Sequence, residues 1–280
     1  MLIDQLFDYS TKIRRYHPAM QLRIFILLGL IVRSVLPAVT GLAVAWSVSA
    51  QAATLHIAVA SNFAAPLKVI AAEFERTAGH SVMTSSASTG KLYSQITNAA
   101  PFDVLLAADD ETPARLQTVG MAVANSRFTY AVGRLALWSA DAGLVDAKGE
   151  VLKSGKFTRL ALASPKAAPY GVAAIETLSK LNLMNALEPK FVTGESIGQA
   201  YSFVASGNVP LGFVASSQVM QSGKLKSGSM WLVPSELHSP LKQDAVLLLR
   251  ARDNPAALAF MAFLKTDASR ATIRSFGYEI

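Results

Sequence analysis

The chain has 280 residues, of which 51% are hydrophobic and 16% charged, so it can bury one large core or two smaller ones. Its net charge of +7 is divided unevenly: residues 1–52 hold five basic and two acidic side chains, and residues 53–280 hold 21 basic and 17 acidic ones, so the larger part is only mildly basic. The basic residues are scattered without aromatic neighbours, which argues against a nucleic-acid partner. The lack of cysteine excludes disulfides, thiolate metal sites and a cysteine nucleophile.

Residues 1–52 have the pattern of a secretory signal peptide. An apolar block at 24–32 follows several arginines, and Ala50-Gln51-Ala52 forms a small-x-small cleavage pattern. We therefore predict export to the periplasm and cleavage near this tripeptide. Met20, directly before the basic and apolar pattern, is an alternative translation start. A retained membrane anchor is the competing interpretation, because the apolar residues together reach the length that a bilayer requires.

Beyond residue 53, short apolar runs alternate with stretches of helical periodicity. Apolar residues from Leu67 to Phe74 recur at the i, i+3, i+4, i+7 spacing of an amphipathic helix. The predicted strands are 55–60, 80–84, 104–107, 135–138, 160–163, 191–192, 211–214 and 245–249. The predicted helices are 67–78, 91–98, 172–181, 197–205, 255–264 and 268–275. This alternation predicts an α/β fold with largely parallel sheets.

Polar residues without charge occupy four junctions between a predicted strand and the next helix. These junctions are Ser61-Asn62, Ser88-Thr89-Gly90, Pro169-Tyr170-Gly171 and Ser196-Ile197-Gly198. Unpaired N–H groups and the helix dipole can bind an anion at a helix start, although each junction alone is also explained by N-capping. In an open α/β fold such junctions meet at the carboxyl edge of the sheet. A site of donors favours a fully deprotonated tetrahedral dianion, because a protonated phosphate also needs an acceptor.

Seven segments, in order, resemble the periplasmic molybdate-binding receptors of ABC transporters, and the resemblance covers residues 54–280. The segments are residues 60–63, 85–90, 102–109, 126–133, 168–171, 196–200 and 211–215. The resemblance implies a two-lobed periplasmic-binding-protein fold of type II, with mixed, largely parallel sheets and a hinge. The first lobe would be discontinuous, formed by 53–132 and 239–280, and the second would be 133–238.

The same resemblance implies which residues hold the ligand. Ser61 and Asn62 would supply a hydroxyl and amide donors, Thr89 a hydroxyl and a backbone N–H, and Tyr170 and Ile197 backbone N–H groups. Molybdenum would be bound only as its oxyanion through these residues. No cofactor and no metal cation are expected.

Two positions depart from the pattern expected for the family. Some relatives have a tyrosine after Leu-Gly-x-Val, where this chain has Ala215. Thr89 replaces an expected serine, which keeps the hydroxyl and adds a methyl group that narrows the pocket. The ranking of molybdate, tungstate and sulfate is therefore open.

The resemblance implies a monomeric periplasmic receptor, not an enzyme, that binds molybdate and tungstate and delivers them to an ABC permease in the inner membrane. A receptor for sulfate or another oxyanion is the nearest alternative. A serine acyltransferase that recognises penicillins, with Ser88 as nucleophile assisted by Lys91, is an alternative of another class. It is disfavoured because its short motifs arise easily by chance and need a different scaffold.

Overall fold

The computed structural model describes residues 53–280, so the predicted signal peptide lies outside the described residues. The strands are β1 Thr54–Ala60, β2 Ser81–Ala87, β3 Val104–Leu106, β4 Phe128–Gly133, β5 Leu135–Ser139, β6 Leu160–Ala163, β7 Phe191–Gly194, β8 Leu211–Ala215, β9 Met220–Gln221, β10 Lys224–Leu225, β11 Ser229–Leu232 and β12 Leu241–Leu247. The helices are α1 Ala64–Ala78, α2 Thr89–Thr97, α3 Glu111–Thr118, α4 Glu150–Ser154, α5 Pro169–Lys180, α6 Met184–Leu187, α7 Ile197–Ala205, α8 Ser216–Val219, α9 Pro255–Phe263 and α10 Asp267–Ser275. The predicted α/β fold class is confirmed. Within 53–280, no helix has both the length and the apolar character needed to cross a membrane.

The longer strands form two mixed sheets of five strands each. The first sheet has the order β2-β1-β3-β12-β4, with β12 antiparallel to both of its neighbours. The second has the order β11-β5-β8-β6-β7, with β6 parallel to β7 and β8. The chain passes from the first sheet to the second at Arg134 and returns through residues 233–240. The division into lobes remains a prediction, but these two crossings connect the two sheets.

Helices cover both faces of the first sheet. Leu55 and Ile57 of β1 lie in one apolar cluster with Phe74 of α1 and Phe260 of α9, whereas Ala58 lies in a separate cluster with residues of α2 and α3. This separation follows from the alternation of side chains along a strand. Each fully buried Leu, Ile or Phe contributes about 1.5–3 kcal/mol to folding. The strands are therefore firmly held, and so are the junctions that follow them.

Some elements differ from those expected. Strand β12 begins at Leu241, four residues before the predicted start, because Gln243 and Asp244 are polar yet buried. Helix α3 is not predicted from the sequence, since few of its residues are apolar. Ala78 is exposed although its spacing places it on the apolar face of α1.

Candidate functional site

The five predicted site residues surround one small cavity. Its volume is about 10 Å³, room for about one water molecule and far below the roughly 300–1,000 Å³ of pockets that hold drug-sized molecules. No charged side chain lines it; the lining residues are Ala60, Ser61, Asn62, Ala87, Ser88, Thr89, Ala108, Ala168, Pro169, Tyr170 and Ile197. The cavity has the size and polarity for a small ion rather than for an organic metabolite.

Three helices begin at this cavity. Helix α2 starts at Thr89, α5 at Pro169 and α7 at Ile197. The N–H groups of a first helical turn have no acceptor inside the helix, and they carry the positive end of its dipole. Proline at the first position of α5 has no N–H, so the N–H of Tyr170 is the first that this helix offers. Partial positive charge therefore faces the cavity from three helices without any cationic side chain.

The hydroxyls of Ser61 and Thr89 are arranged as donors. The backbone N–H of Ala108 donates to Thr89 Oγ1 over 3.0 Å. The backbone N–H of Gly198 donates to Ser61 Oγ over 3.1 Å. A hydroxyl that accepts such a bond keeps its single hydrogen free for another acceptor. Both hydroxyls line the cavity, so an anion there can receive these hydrogens.

Close backbone contacts join segments of the two predicted lobes beside the cavity. The N–H of Gly90 donates to the carbonyl oxygen of Ala167 over 2.9 Å. A Cβ on Gly198 would lie 3.1 Å from the Cβ of Ser61. That approach is tighter than side chains usually allow, so glycine lets α7 reach the Ser61 turn.

Asn62 lines the cavity, but its amide hydrogens are bonded away from it. Its Nδ2 donates to Gln243 Oε1 over 2.9 Å and to Tyr278 Oη over 3.0 Å. Its Oδ1 is buried and has no hydrogen-bond partner among residues 53–280. Its backbone carbonyl accepts from Ser217 Oγ and Tyr278 Oη, each over 2.9 Å. Asn62 therefore lies where a ligand-binding residue is expected. Its side-chain NH₂, however, bonds Gln243 and Tyr278 instead of donating into the cavity.

Three buried tyrosines surround this amide. Tyr130 Oη lies 2.9 Å from the carbonyl oxygen of Ala107 and 3.1 Å from Gln243 Oε1. Gln243 Nε2 donates to Tyr170 Oη over 3.1 Å. Burial raises the pKa of Tyr130, Tyr170 and Tyr278, so all three hydroxyls stay neutral.

Sequence reasoning does not find Gln243 or Tyr278 as site neighbours. Both are distant in sequence from every junction and lie in no recognisable motif. Tyr130 lies inside one of the seven resembling segments, at 126–133. The sequence also predicts a strand near Tyr130 that carries the chain between the lobes, but not the contact of its hydroxyl with Gln243.

Two other residues singled out from the sequence lie away from the cavity lining. Ala215 is fully buried at the end of β8. The Lys91 ammonium lies 3.6 Å from Glu195 Oε2, and both side chains are exposed. Ser88 does line the cavity and is buried.

A larger groove adjoins the cavity and shares Ala168 and Pro169 with its lining. The groove has a volume of about 400 Å³. Its charged lining residues are Asp109, Asp110, Glu111, Arg115, Lys166 and Glu176. Burial raises the pKa of Asp109, whose Oδ1 accepts the N–H of Thr112 in the first turn of α3. The groove therefore combines charges of both signs, unlike the cavity.

Known proteins resemble this chain over nearly all of the described range. The sequence model of the family described as "Bacterial extracellular solute-binding protein" matches residues 55–279. The molybdate-binding protein ModA of Azotobacter vinelandii is 54% identical over 230 residues, covering 82% of this chain and 91% of that protein. ModA of Rhodobacter capsulatus is 51% identical over 229 residues, covering 82% and 89%. The solved structure of the Azotobacter vinelandii periplasmic molybdate-binding protein matches with a TM-score of 0.79 and 39% identity, covering 81% of this chain and 99% of that one.

Proposed function

Because this chain belongs to the family of bacterial extracellular solute-binding proteins, we propose that it is a receptor for molybdate. The observation that carries the proposal is a small cavity at three helix starts, lined without charged side chains. The names of the three relatives described above, all molybdate-binding proteins, agree with it. The residues assigned to the ion are Ser61, Asn62, Thr89, Tyr170 and Ile197.

The predicted periplasmic-binding-protein fold is confirmed by the two mixed sheets and by the match to a solved molybdate-binding protein. We further propose that residues 53–132 with 239–280, and residues 133–238, move as separate lobes. In this proposal the bonds from Gly198 to Ser61 and from Gly90 to Ala167 form as the lobes close on the ion. The two crossings between the sheets would then serve as the hinge.

Neutral donors are sufficient to hold a dianion. Hydrogen bonds to a charged group contribute about 1.5–3 kcal/mol each, and about five donors face the cavity from the hydroxyls and first-turn N–H groups. Association costs at least about 4 kcal/mol, and a micromolar Kd corresponds to a net value of about 8 kcal/mol. Five hydrogen bonds of about 2.4 kcal/mol each, less the association cost of about 4 kcal/mol, give the net value of about 8 kcal/mol that a micromolar Kd requires.

The test is competitive calorimetry of the purified protein with molybdate, tungstate, sulfate and phosphate. We expect molybdate and tungstate to bind, sulfate to bind more weakly, and phosphate to give no measurable heat because its proton needs an acceptor. Tighter binding of sulfate would instead assign the chain as a sulfate receptor. No heat with any of the four ions would overturn the proposal.

The finer assignments belong to the same proposal. They are a monomer in the periplasm, freed of its signal peptide, that takes tungstate as well as molybdate, needs no cofactor and delivers the ion to an ABC permease. The family is one of solute-binding proteins, so we propose no enzymatic activity. A covalent penicillin adduct at Ser88, measured by mass spectrometry of the intact protein, would support acyl transfer instead.

A further inference from the structure

The hydrogen bonds around Asn62 and Gln243 are not balanced in the arrangement described above. Asn62 Oδ1 is buried without a donor, although the side chain is only 2% exposed. Tyr130 has one hydroxyl hydrogen but lies within hydrogen-bond distance of two acceptors, the Ala107 carbonyl and Gln243 Oε1. A carbonyl oxygen can only accept, so one of these two contacts lacks a hydrogen.

Turning both carboxamides by half a rotation gives Asn62 Oδ1 donors and removes the shortage of a hydrogen at Tyr130, because the rotation exchanges oxygen and NH₂ in each. Gln243 Nε2 then donates to Tyr130 Oη and to Asn62 Oδ1. Tyr170 Oη donates to Gln243 Oε1, and Tyr278 Oη can donate to Asn62 Oδ1. Tyr278 then gives up its bond to the Asn62 backbone carbonyl, which still accepts from Ser217 Oγ. The Asn62 NH₂ takes the place of the unpartnered oxygen and has no partner of its own among the described residues. This NH₂ group is then available to an anion in the cavity.

We propose that Gln243 is a positioning residue for the ligand. By donating to Asn62 Oδ1, it turns the Asn62 amide hydrogens toward the oxyanion and removes a carbonyl acceptor from the cavity. This inference rests on the proposed function and deepens it, since it names the side chain that makes the site favour a fully deprotonated ion. Gln243 itself does not line the cavity.

The surroundings of Gln243 are built for this contact. Gln243 is fully buried in β12, the strand that follows the return crossing, and it bonds Tyr170 at the start of α5. A Cβ on Gly133 of β4 would collide with both the Tyr170 hydroxyl and the Gln243 amide. Glycine at 133 is therefore required by close approach, and the space that it leaves is filled by the polar pair.

The test is a double-mutant cycle measured by calorimetry with molybdate. We expect Gln243→Leu to weaken binding at least tenfold, because Asn62 then has no donor to hold its oxygen. In an Asn62→Ala background the same substitution should change affinity less than twofold, since Gln243 acts through Asn62. Gln117→Leu on α3, whose Nε2 donates to the Val123 carbonyl away from the cavity, is the matched control and should bind as wild type does.

The outcomes separate the two proposals. Wild-type protein that does not bind molybdate overturns the proposed function, and this inference with it. Suppose instead that the wild-type protein binds molybdate and that Gln243→Leu lowers the affinity equally with Asn62 present and in the Asn62→Ala background. Gln243 then has a structural role only, and this inference alone is overturned. An unchanged affinity of Gln243→Leu does the same.

A second measurement on the wild-type protein covers the case in which Gln243→Leu fails to fold. In protein labelled with ¹⁵N-asparagine, the Asn62 side-chain NH₂ signals, identified by their loss in Asn62→Ala, should shift downfield when molybdate is added. In the saturated protein, they should lack nuclear Overhauser contacts to the Gln243 side chain. Contacts to Gln243 that persist at saturation would overturn the inference.

Discussion

The small cavity and the charged groove beside it are neighbours with opposite chemistry. The groove has a volume of about 400 Å³ against about 10 Å³ for the cavity. The groove carries carboxylates, a guanidinium and an ammonium, whereas no charged side chain of residues 53–280 lines the cavity. Size alone would favour the groove as a ligand site. The described geometry favours the cavity, because its donors are backbone N–H groups and hydroxyls that surrounding bonds already orient.

The difference has a simple physical cause. Carboxylates of the groove repel an anion and cancel the field of Arg115 and Lys166, and exposed ion pairs contribute only about 0–1 kcal/mol. Helix N–H groups are fixed by the backbone and need no reorganisation when the ion arrives. Donors of this kind also reject a ligand that must itself donate.

The largest effect should come from moving a carboxylate of the kind found in the groove into the cavity. We expect Ser61→Asp to abolish molybdate binding in calorimetry, since two unit charges 4 Å apart repel by about 4 kcal/mol at an effective dielectric constant of 20, and the ion is doubly charged. Asp110→Asn, which removes a carboxylate from the groove, is the control and should leave the affinity unchanged. Retained binding by Ser61→Asp would place the ion elsewhere.

Removal of one hydroxyl donor should have the next largest effect. Thr89→Val keeps the shape of the side chain but loses a bond to the ion of about 1.5–3 kcal/mol, so we expect molybdate to bind more than tenfold more weakly. Thr112→Val in the groove removes a hydroxyl that donates to Asp109 Oδ2, and it should bind normally. An equal loss in both variants would remove the distinction between the two regions.

Removal of one backbone donor tests the role of the helix starts directly. Ile197 is the first residue of α7, where proline is well tolerated and lacks the N–H. Ile197→Pro should bind molybdate at least about tenfold more weakly, for a lost bond of about 1.5–3 kcal/mol. Its melting temperature should fall, because the Ile197 side chain is buried in the core. Ile197→Val, which keeps the N–H, is the control, and equal affinities of the two variants would argue against a backbone donor here.

The smallest effect should be that of pH. No side chain of the cavity lining titrates near neutrality, and burial raises the pKa values of the three network tyrosines. A raised tyrosine pKa keeps the neutral hydroxyl present to higher pH, so the network is unchanged as pH rises. Calorimetry at pH 6, 7.5 and 9 should give affinities within about threefold. A tenfold change would point to a titrating group at the ion and weaken the contrast with the groove.

The elements and the junctions could be predicted from the sequence because both depend on local patterns. Helix α7 occupies the predicted 197–205, and β6 the predicted 160–163, since apolar periodicity and flanking polar residues define them. The four junctions were predictable in the same way, because each stands where a strand ends and a helix begins. The choice of the five site residues within them is implied by the resemblance to molybdate-binding receptors and stays a prediction. The start of strand β12 was harder to predict, because its buried polar residues interrupt the apolar run.

The sequence by itself determined an α/β chain with uncharged donors at four helix starts, because these features depend on neighbours within a few residues. Only the tertiary structure decided that the junctions meet at one cavity and that backbone N–H groups of Ala108 and Gly198 turn two hydroxyls into donors. It also decided that Gln243, which lies 181 positions beyond Asn62, bonds the amide of that residue. Such contacts depend on how sheets and helices pack, and no local pattern encodes them.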